Sequence, residues 1–99
     1  MFALVFTRSA QEEWERLERS PRHTGLVKQI EKTLGFLQTN PRHPSLQTHL
    51  FHSLAHPYDP REKVFEAYVQ QHTPAAYRLF WCYGPEKGQI TVLAITPHP

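Results

Sequence analysis

The sequence predicts an α+β domain: an N-terminal strand, an antiparallel helical hairpin, then a three- to four-stranded antiparallel sheet with the helices on one face. Period-two alternation of apolar residues marks the strands at residues 2–7, 64–69, 77–83 and 90–95. Period-3.6 patterning marks two helices between residues 9 and 38. A Gly84-Pro85-Glu86-Lys87-Gly88 loop between two β-prone runs marks a terminal hairpin. The 99 residues make one domain, 1–99, with a single core.

Phe2, Leu4 and Phe6 alternate with Ala3, Val5 and Thr7 as a first strand. Ser9 followed by Glu12 has capping-box spacing, in which the hydroxyl takes one free helix amide and the carboxylate reaches back to another. Ala10, Trp14 and Leu17 form the apolar face of the helix that follows, and Ser20-Pro21 ends it. Val27, Ile30, Leu34 and Leu37 form a second apolar stripe from about Thr24 to Gln38, closed by Asn40-Pro41. Leu46, Thr48 and Leu50 alternate as a short edge strand. His56-Pro57-Tyr58-Asp59-Pro60-Arg61 reads as a loop. Phe65, Ala67 and Val69 share one face of the next strand, with Glu66 and Tyr68 on the other. In the strand from Tyr77 to Tyr83, Leu79 and Trp81 face the helices, which leaves Arg78, Phe80 and Cys82 on the opposite, free face. Arg78 is expected to be exposed there.

The totals exclude several classes. Hydrophobic residues at 39% and charged residues at 20% fit a folded water-soluble chain. A single cysteine, Cys82, allows no internal disulfide, which fits a reducing cytoplasm; it is expected to be a small buried hydrophobe. The amino terminus has neither the basic leader of a signal peptide nor the length of a membrane span. A net charge of +2 permits a polyanionic partner without demanding one. No nucleophile elbow occurs, and the only glycine-rich loop joins two strands rather than a strand to a helix.

The residues also carry a resemblance. Leu37-Gln38-Thr39-Asn40-Pro41 closing a helical pair, the strand Tyr77-Arg78-Leu79-Phe80-Trp81, the final strand Ile90-Thr91-Val92-Leu93-Ala94-Ile95 and the closing Pro97-His98-Pro99 together resemble the RelE/ParE toxin superfamily of type II toxin-antitoxin systems. The resemblance implies a cytoplasmic toxin held inactive by a cognate antitoxin protein. It implies cleavage of mRNA, in some members on the ribosome, by a metal-independent and cofactor-free endoribonuclease that inhibits translation. ParE-like relatives of the same fold instead occupy a protein partner such as DNA gyrase, without nuclease chemistry.

Arg78 matches the arginine that contacts the scissile phosphate in the nuclease members. His98 lies near the carboxy-terminal histidine of the YoeB-like branch, which acts in proton transfer. That branch ends in His-Tyr and this chain in His-Pro. The glutamate the branch carries before its second strand is missing from His43-Pro44-Ser45-Leu46-Gln47, and the sheet half holds only Lys63 and Lys87 as lysines.

Metal-free RNA cleavage needs a base for the 2′-hydroxyl, a cation on the phosphate and an acid for the leaving oxygen. Arginine suits the second role because its planar fork bonds two phosphate oxygens and stays charged. Arg78 takes that role or pairs structurally with Glu66. His98, His49 and Glu66 are the proton-transfer candidates, since imidazole titrates near neutrality and Glu66 sits one strand away. His49-x-x-His52 also admits a metal reading, but no cysteine or carboxylate lies near in sequence, and no metal ligand is assigned. Lys63 and Lys87 are candidate RNA contacts. Tyr68, Tyr77 and Tyr83 either stack on bases or pack the sheet.

Overall fold

The computed structural model describes residues 1–71, 73 and 75–97. Its elements are β1 (Ala3–Phe6), α1 (Arg8–Glu18), α2 (Thr24–Thr39), β2 (His49–Leu50), β3 (Phe65–Tyr68), β4 (Tyr77–Tyr83) and β5 (Gln89–Pro97). They form one five-stranded sheet in the order β1-β5-β4-β3-β2, with β1 parallel to β5 and every other pair antiparallel. The crossover from β1 runs through both helices, so they cover one face. Leu17, Ile30, Leu34 and Leu37 pack there on Ala67, Leu79, Trp81, Ile90, Val92 and Ile95.

The helical hairpin forms as the patterning predicts, with a different start. Thr7, not Ser9, caps α1: its Oγ1 accepts from the Ala10 amide at 3.2 Å. The same hydroxyl donates to the Leu93 carbonyl at 2.8 Å. The β4–β5 register pairs Phe80 with Ala94 and Trp81 with Val92, so Leu93 is the extra residue of a bulge. Tertiary contact thus selects the residue that satisfies both the helix start and the bulge, overriding the local capping box.

The edge strand is shorter than the alternation suggests. Pro44–Leu46 is a single 3₁₀ turn that ends at Gln47 with φ of 45°, a left-handed conformation that interrupts an extended chain. Leu46 is buried from that turn rather than from a strand, and only His49 and Leu50 pair with β3.

The face away from the helices is half covered. The segment between β2 and β3 folds back over Phe80, Cys82 and Thr91, with the Phe51 ring 4.5 Å from the Phe80 ring. His56 latches it. Nε2 donates to the Tyr83 carbonyl at 2.9 Å, while Nδ1 accepts the amides of Tyr58 and Asp59 at 3.2 and 3.1 Å, an arrangement that requires the neutral ring. Thr91 spends its one proton on the Gly84 carbonyl at 2.8 Å, so the Tyr58 hydroxyl donates to Thr91 Oγ1 at 3.0 Å. Cys82 is sealed beneath, as expected of a small buried hydrophobe, and burial pushes its thiol up to about 11.

Replacing His56 by Ala removes three hydrogen bonds from this covering segment. Stability should fall by about 2 kcal/mol, and native-state trypsin cleavage after Arg61 and Lys63 should accelerate. An unchanged cleavage rate would mean that Phe51 and Tyr58 hold the segment without the latch.

Candidate active site

The uncovered half of the same face carries a group of polar residues, with Arg78 on the side that the alternation assigned to it. Sheet register sets them in two neighbouring rungs. His49 of β2 lies opposite Glu66 of β3, and Tyr68 of β3 lies opposite Arg78 of β4. Strand pleating puts all four side chains on one face.

Arg78 is on that face but is only 9% exposed, which corrects the expectation of an open guanidinium. The cause is local. Nη1 donates to the Gln70 carbonyl at 2.8 Å and to the Tyr77 carbonyl at 3.2 Å, and the Tyr68 ring stacks 3.9 Å from the guanidinium carbon. Gln70 is held in turn, because its side-chain oxygen accepts the Tyr77 amide at 3.0 Å and its amide nitrogen donates to Gln29 of α2 at 3.2 Å. Arg78 Nε is buried without a hydrogen bond, 3.9 Å from Glu66 Oε2. The ion pair with Glu66 therefore exists, but as a loose one. Nη2 has no hydrogen bond among the described residues.

Glu66 is 3% exposed, and its other oxygen meets His49 Nε2 at 2.5 Å. His49 Nδ1 lies 3.1 Å from the Gln47 carbonyl. Both ring nitrogens thus face acceptors, so the doubly protonated imidazolium satisfies both contacts and is balanced by the carboxylate. The left-handed turn at Gln47 aims its carbonyl at the ring. The His49 side chain is 48% exposed, which leaves it the accessible member of a buried chain of charge, His49 to Glu66 to Arg78. Such a chain can hold a proton at the surface and a fixed cation beside it. Among the described residues, no group of three His, Cys, Asp or Glu could hold a metal ion.

The remaining candidates separate. Tyr68 belongs to the cluster through its stack on Arg78. Tyr77 is on the helix-facing side, where its hydroxyl donates to Glu13 at 3.1 Å. Tyr83 is also on that side, with its ring centroid 5.0 Å from that of Trp81, and it lines a cleft of about 700 Å³ with Lys63 and Lys87. His98 lies outside the described residues. Gln70 and Gln47 act through their main-chain carbonyls, which no side-chain pattern announces. The His56 latch sits in a stretch without periodicity, so its sequence carried no signal beyond the two prolines that follow it.

The whole-chain architecture has close counterparts among solved structures. The YoeB/ParE toxin from Agrobacterium tumefaciens superposes with a TM-score of 0.69 at 14% identity, covering 100% of both chains. A chain of the intact E. coli RelBE toxin-antitoxin complex gives 0.64 at 16% identity over 100% of this chain and 99% of that one. A chain of the archaeal RelE-RelB complex from Pyrococcus horikoshii OT3 gives 0.63 at 13% identity over 97% and 93%. The fold is that of the RelE/ParE toxins. No protein-family model matches the sequence, and no curated protein does either. The RelE/ParE fold here includes no helix, among the described residues, long and apolar enough to cross a membrane.

Two outcomes follow from the electrostatics. Arg78→Met alone takes the guanidinium from beside the buried Glu66 carboxylate and should cost about 3 kcal/mol, whereas the double variant Arg78→Met/Glu66→Met should recover part of that loss in urea unfolding. If the double variant is as unstable as the single one, the Arg78–Glu66 contact is not what couples them. At the other face, the Arg16 guanidinium, with Tyr77, holds the Glu13 carboxyl below the usual carboxylate range, and burial together with Glu13 raises the Tyr77 hydroxyl. A depressed carboxyl contributes stability that is complete above its ordinary value near 4.3 and is lost as pH falls through its lower folded value. Tyr77→Phe should therefore cost about 1 kcal/mol at pH 7, and the difference in thermal midpoint should close as the solution is acidified below about pH 4.

Proposed function

We propose that the chain is the toxin of a type II toxin-antitoxin pair and cleaves messenger RNA without a metal ion or cofactor. The observation that carries this is the His49–Glu66–Arg78 chain of charge on the helix-free face of a RelE/ParE fold. In this reading the 2′-oxygen attacks the adjacent phosphorus and the bond to the 5′-oxygen breaks, giving a 2′,3′-cyclic phosphate and a 5′-hydroxyl. The Nδ1 proton of His49 leaves the Gln47 carbonyl for the departing 5′-oxygen, while Nε2 stays on Glu66. An incoming phosphate oxygen accepts from Arg78 Nη2, and the fixed guanidinium offsets the charge that builds on phosphorus. Removal of the 2′ proton is assigned to His98, which follows Pro97, the last residue of β5. Tyr68 offers a ring beside the phosphate site for a base to stack on.

The glutamate absent before β2 has a substitute in this scheme. Glu66 comes from β3 and works through His49. Two of the similar structures are toxin-antitoxin complexes, which supports a cognate antitoxin as the partner that keeps this chain inactive in the cytoplasm. Action on the ribosome is part of the same proposal.

One observation favours a second reading. Arg78 is nine-tenths buried and bonded to main-chain carbonyls, as suits a structural cation in a ParE-like member that arrests growth by occupying a protein such as DNA gyrase.

Induction in bacterial cells followed by primer extension separates the two. The nuclease reading expects growth arrest with new transcript ends, cleavage reduced about 100-fold or more by His49→Ala, and none from the folded Arg78→Met/Glu66→Met variant. Arrest with intact transcripts would overturn it in favour of protein occupation.

A further inference from the structure

The other side of the sheet carries a second cleft, of about 520 Å³, between the segment leaving α2 and the helix-facing sides of β3 and β4. It takes no part in the His49–Glu66–Arg78 site. Its polar lining is one-sided: Arg42 and Lys63 contribute cations, and none of the described residues that line it is a carboxylate. Phe65 and Tyr83 supply aromatic surface, and the buried Trp81 stacks on Phe65 with centroids 4.7 Å apart. His43, stacked on Phe36 at 3.9 Å, accepts the Ser45 amide at Nδ1 and therefore carries its proton on Nε2 as a further donor.

Two buried polar atoms of the lining residues have no partner: Trp81 Nε1 and Thr48 Oγ1. An indole N–H can only donate, and leaving one buried and unpaired costs about 1–3 kcal/mol. Trp81 is the largest fully buried side chain of the core, at 1% exposure. The cleft thus combines exposed cations, aromatic faces and a buried donor lacking an acceptor. Those are the complements of a phosphate, a base face and a base carbonyl.

We infer that this cleft binds one nucleotide of a single-stranded RNA, with the phosphate at Arg42 and Lys63, the base against Phe65 and Tyr83, and a base carbonyl accepting from Trp81 Nε1. The choice of RNA rests on the proposed nuclease reading, but the site is separate from the proposed chemistry. An adjoining cleft shares Arg42, Lys63, Phe65 and Tyr83 and continues to Lys87. It also holds Asp59, Glu62 and Glu86, so the phosphate belongs in the carboxylate-free one. This gathers Lys63, Tyr83 and Lys87 into a contact surface remote from Arg78.

The test uses uridine 5′-monophosphate, which has no phosphodiester to cut, so its result does not depend on whether the chain cleaves RNA. Calorimetry on the full chain should give saturable binding that weakens with added salt and falls about tenfold or more in Arg42→Ala/Lys63→Ala. Uridine alone and inorganic phosphate alone should each bind at least about tenfold more weakly. The Trp81 indole N–H resonance, distinguished from that of Trp14 by Trp14→Phe, should move downfield on saturation. Trp81→Phe should weaken binding in a chain that still unfolds in one cooperative transition.

Any of three results overturns the inference: no saturable binding, equal affinity for inorganic phosphate, or affinity unaltered in the two-cation variant. Unaltered affinity in Trp81→Phe would remove the indole donor from it.

Discussion

A guanidinium inside a sheet has to be surrounded by oxygen, and the arrangement of this molecule's polar face depends on how Arg78 meets that demand. Removing a charge from water costs several kcal/mol even after relaxation. Here the cost is offset by the carbonyls of Gln70 and Tyr77, the face of Tyr68 and the carboxylate of Glu66. Each partner is constrained in consequence. The chain must turn at Gln70 so that its carbonyl points back toward β4, and the Gln70 side chain fastens that turn to Tyr77 and to α2. Glu66 brings its carboxylate to within 3.9 Å of the guanidinium, and the His49 ring meets its other oxygen.

The other half of the same face has the opposite solution. Phe80, Cys82 and Thr91 lie where solvent would otherwise reach, and the segment between β2 and β3 covers them through an aromatic contact, a histidine latch and a tyrosine–threonine hydrogen bond. That cover confines the accessible polar surface to one pair of rungs. A site thereby arises by subtraction: β2 is only two residues long, so His49 remains half exposed at the edge while its partners sink into the sheet. Short edge strands also limit pairing with other chains. Here the shortness has the further effect of keeping an ionisable ring within reach of a ligand.

Much of this was legible in the residues. Alternation in Tyr77–Tyr83 put Arg78 opposite Leu79 and Trp81, and alternation in the preceding strand put Glu66 and Tyr68 on the same side as Arg78. His49 and Glu66 were both candidates, each for its own chemistry, yet nothing linear joined residues 17 positions apart. Tyr77 shows the limit of residue type as a guide. It is aromatic, flanks Arg78 and has the chemistry for stacking on a base, but strand parity turns it toward Glu13. The Ser9–Glu12 spacing shows another limit. Local capping rules rank it highly, and Thr7 displaced it because only Thr7 also reaches the bulge at Leu93.

The sequence by itself determined the element types and their order, the apolar face of each element and therefore which face of the sheet the helices cover. Periodicity of side chains is a one-dimensional property, and burial acts on it directly. Only the tertiary structure decided that β1 joins β5 in parallel, that Arg78 is enclosed rather than exposed, and that His49, Glu66 and Arg78 form one chain of charge. Those outcomes depend on strand order and on main-chain carbonyls brought in from turns. Both are set by the packing of distant segments, and neither leaves a pattern in the side chains.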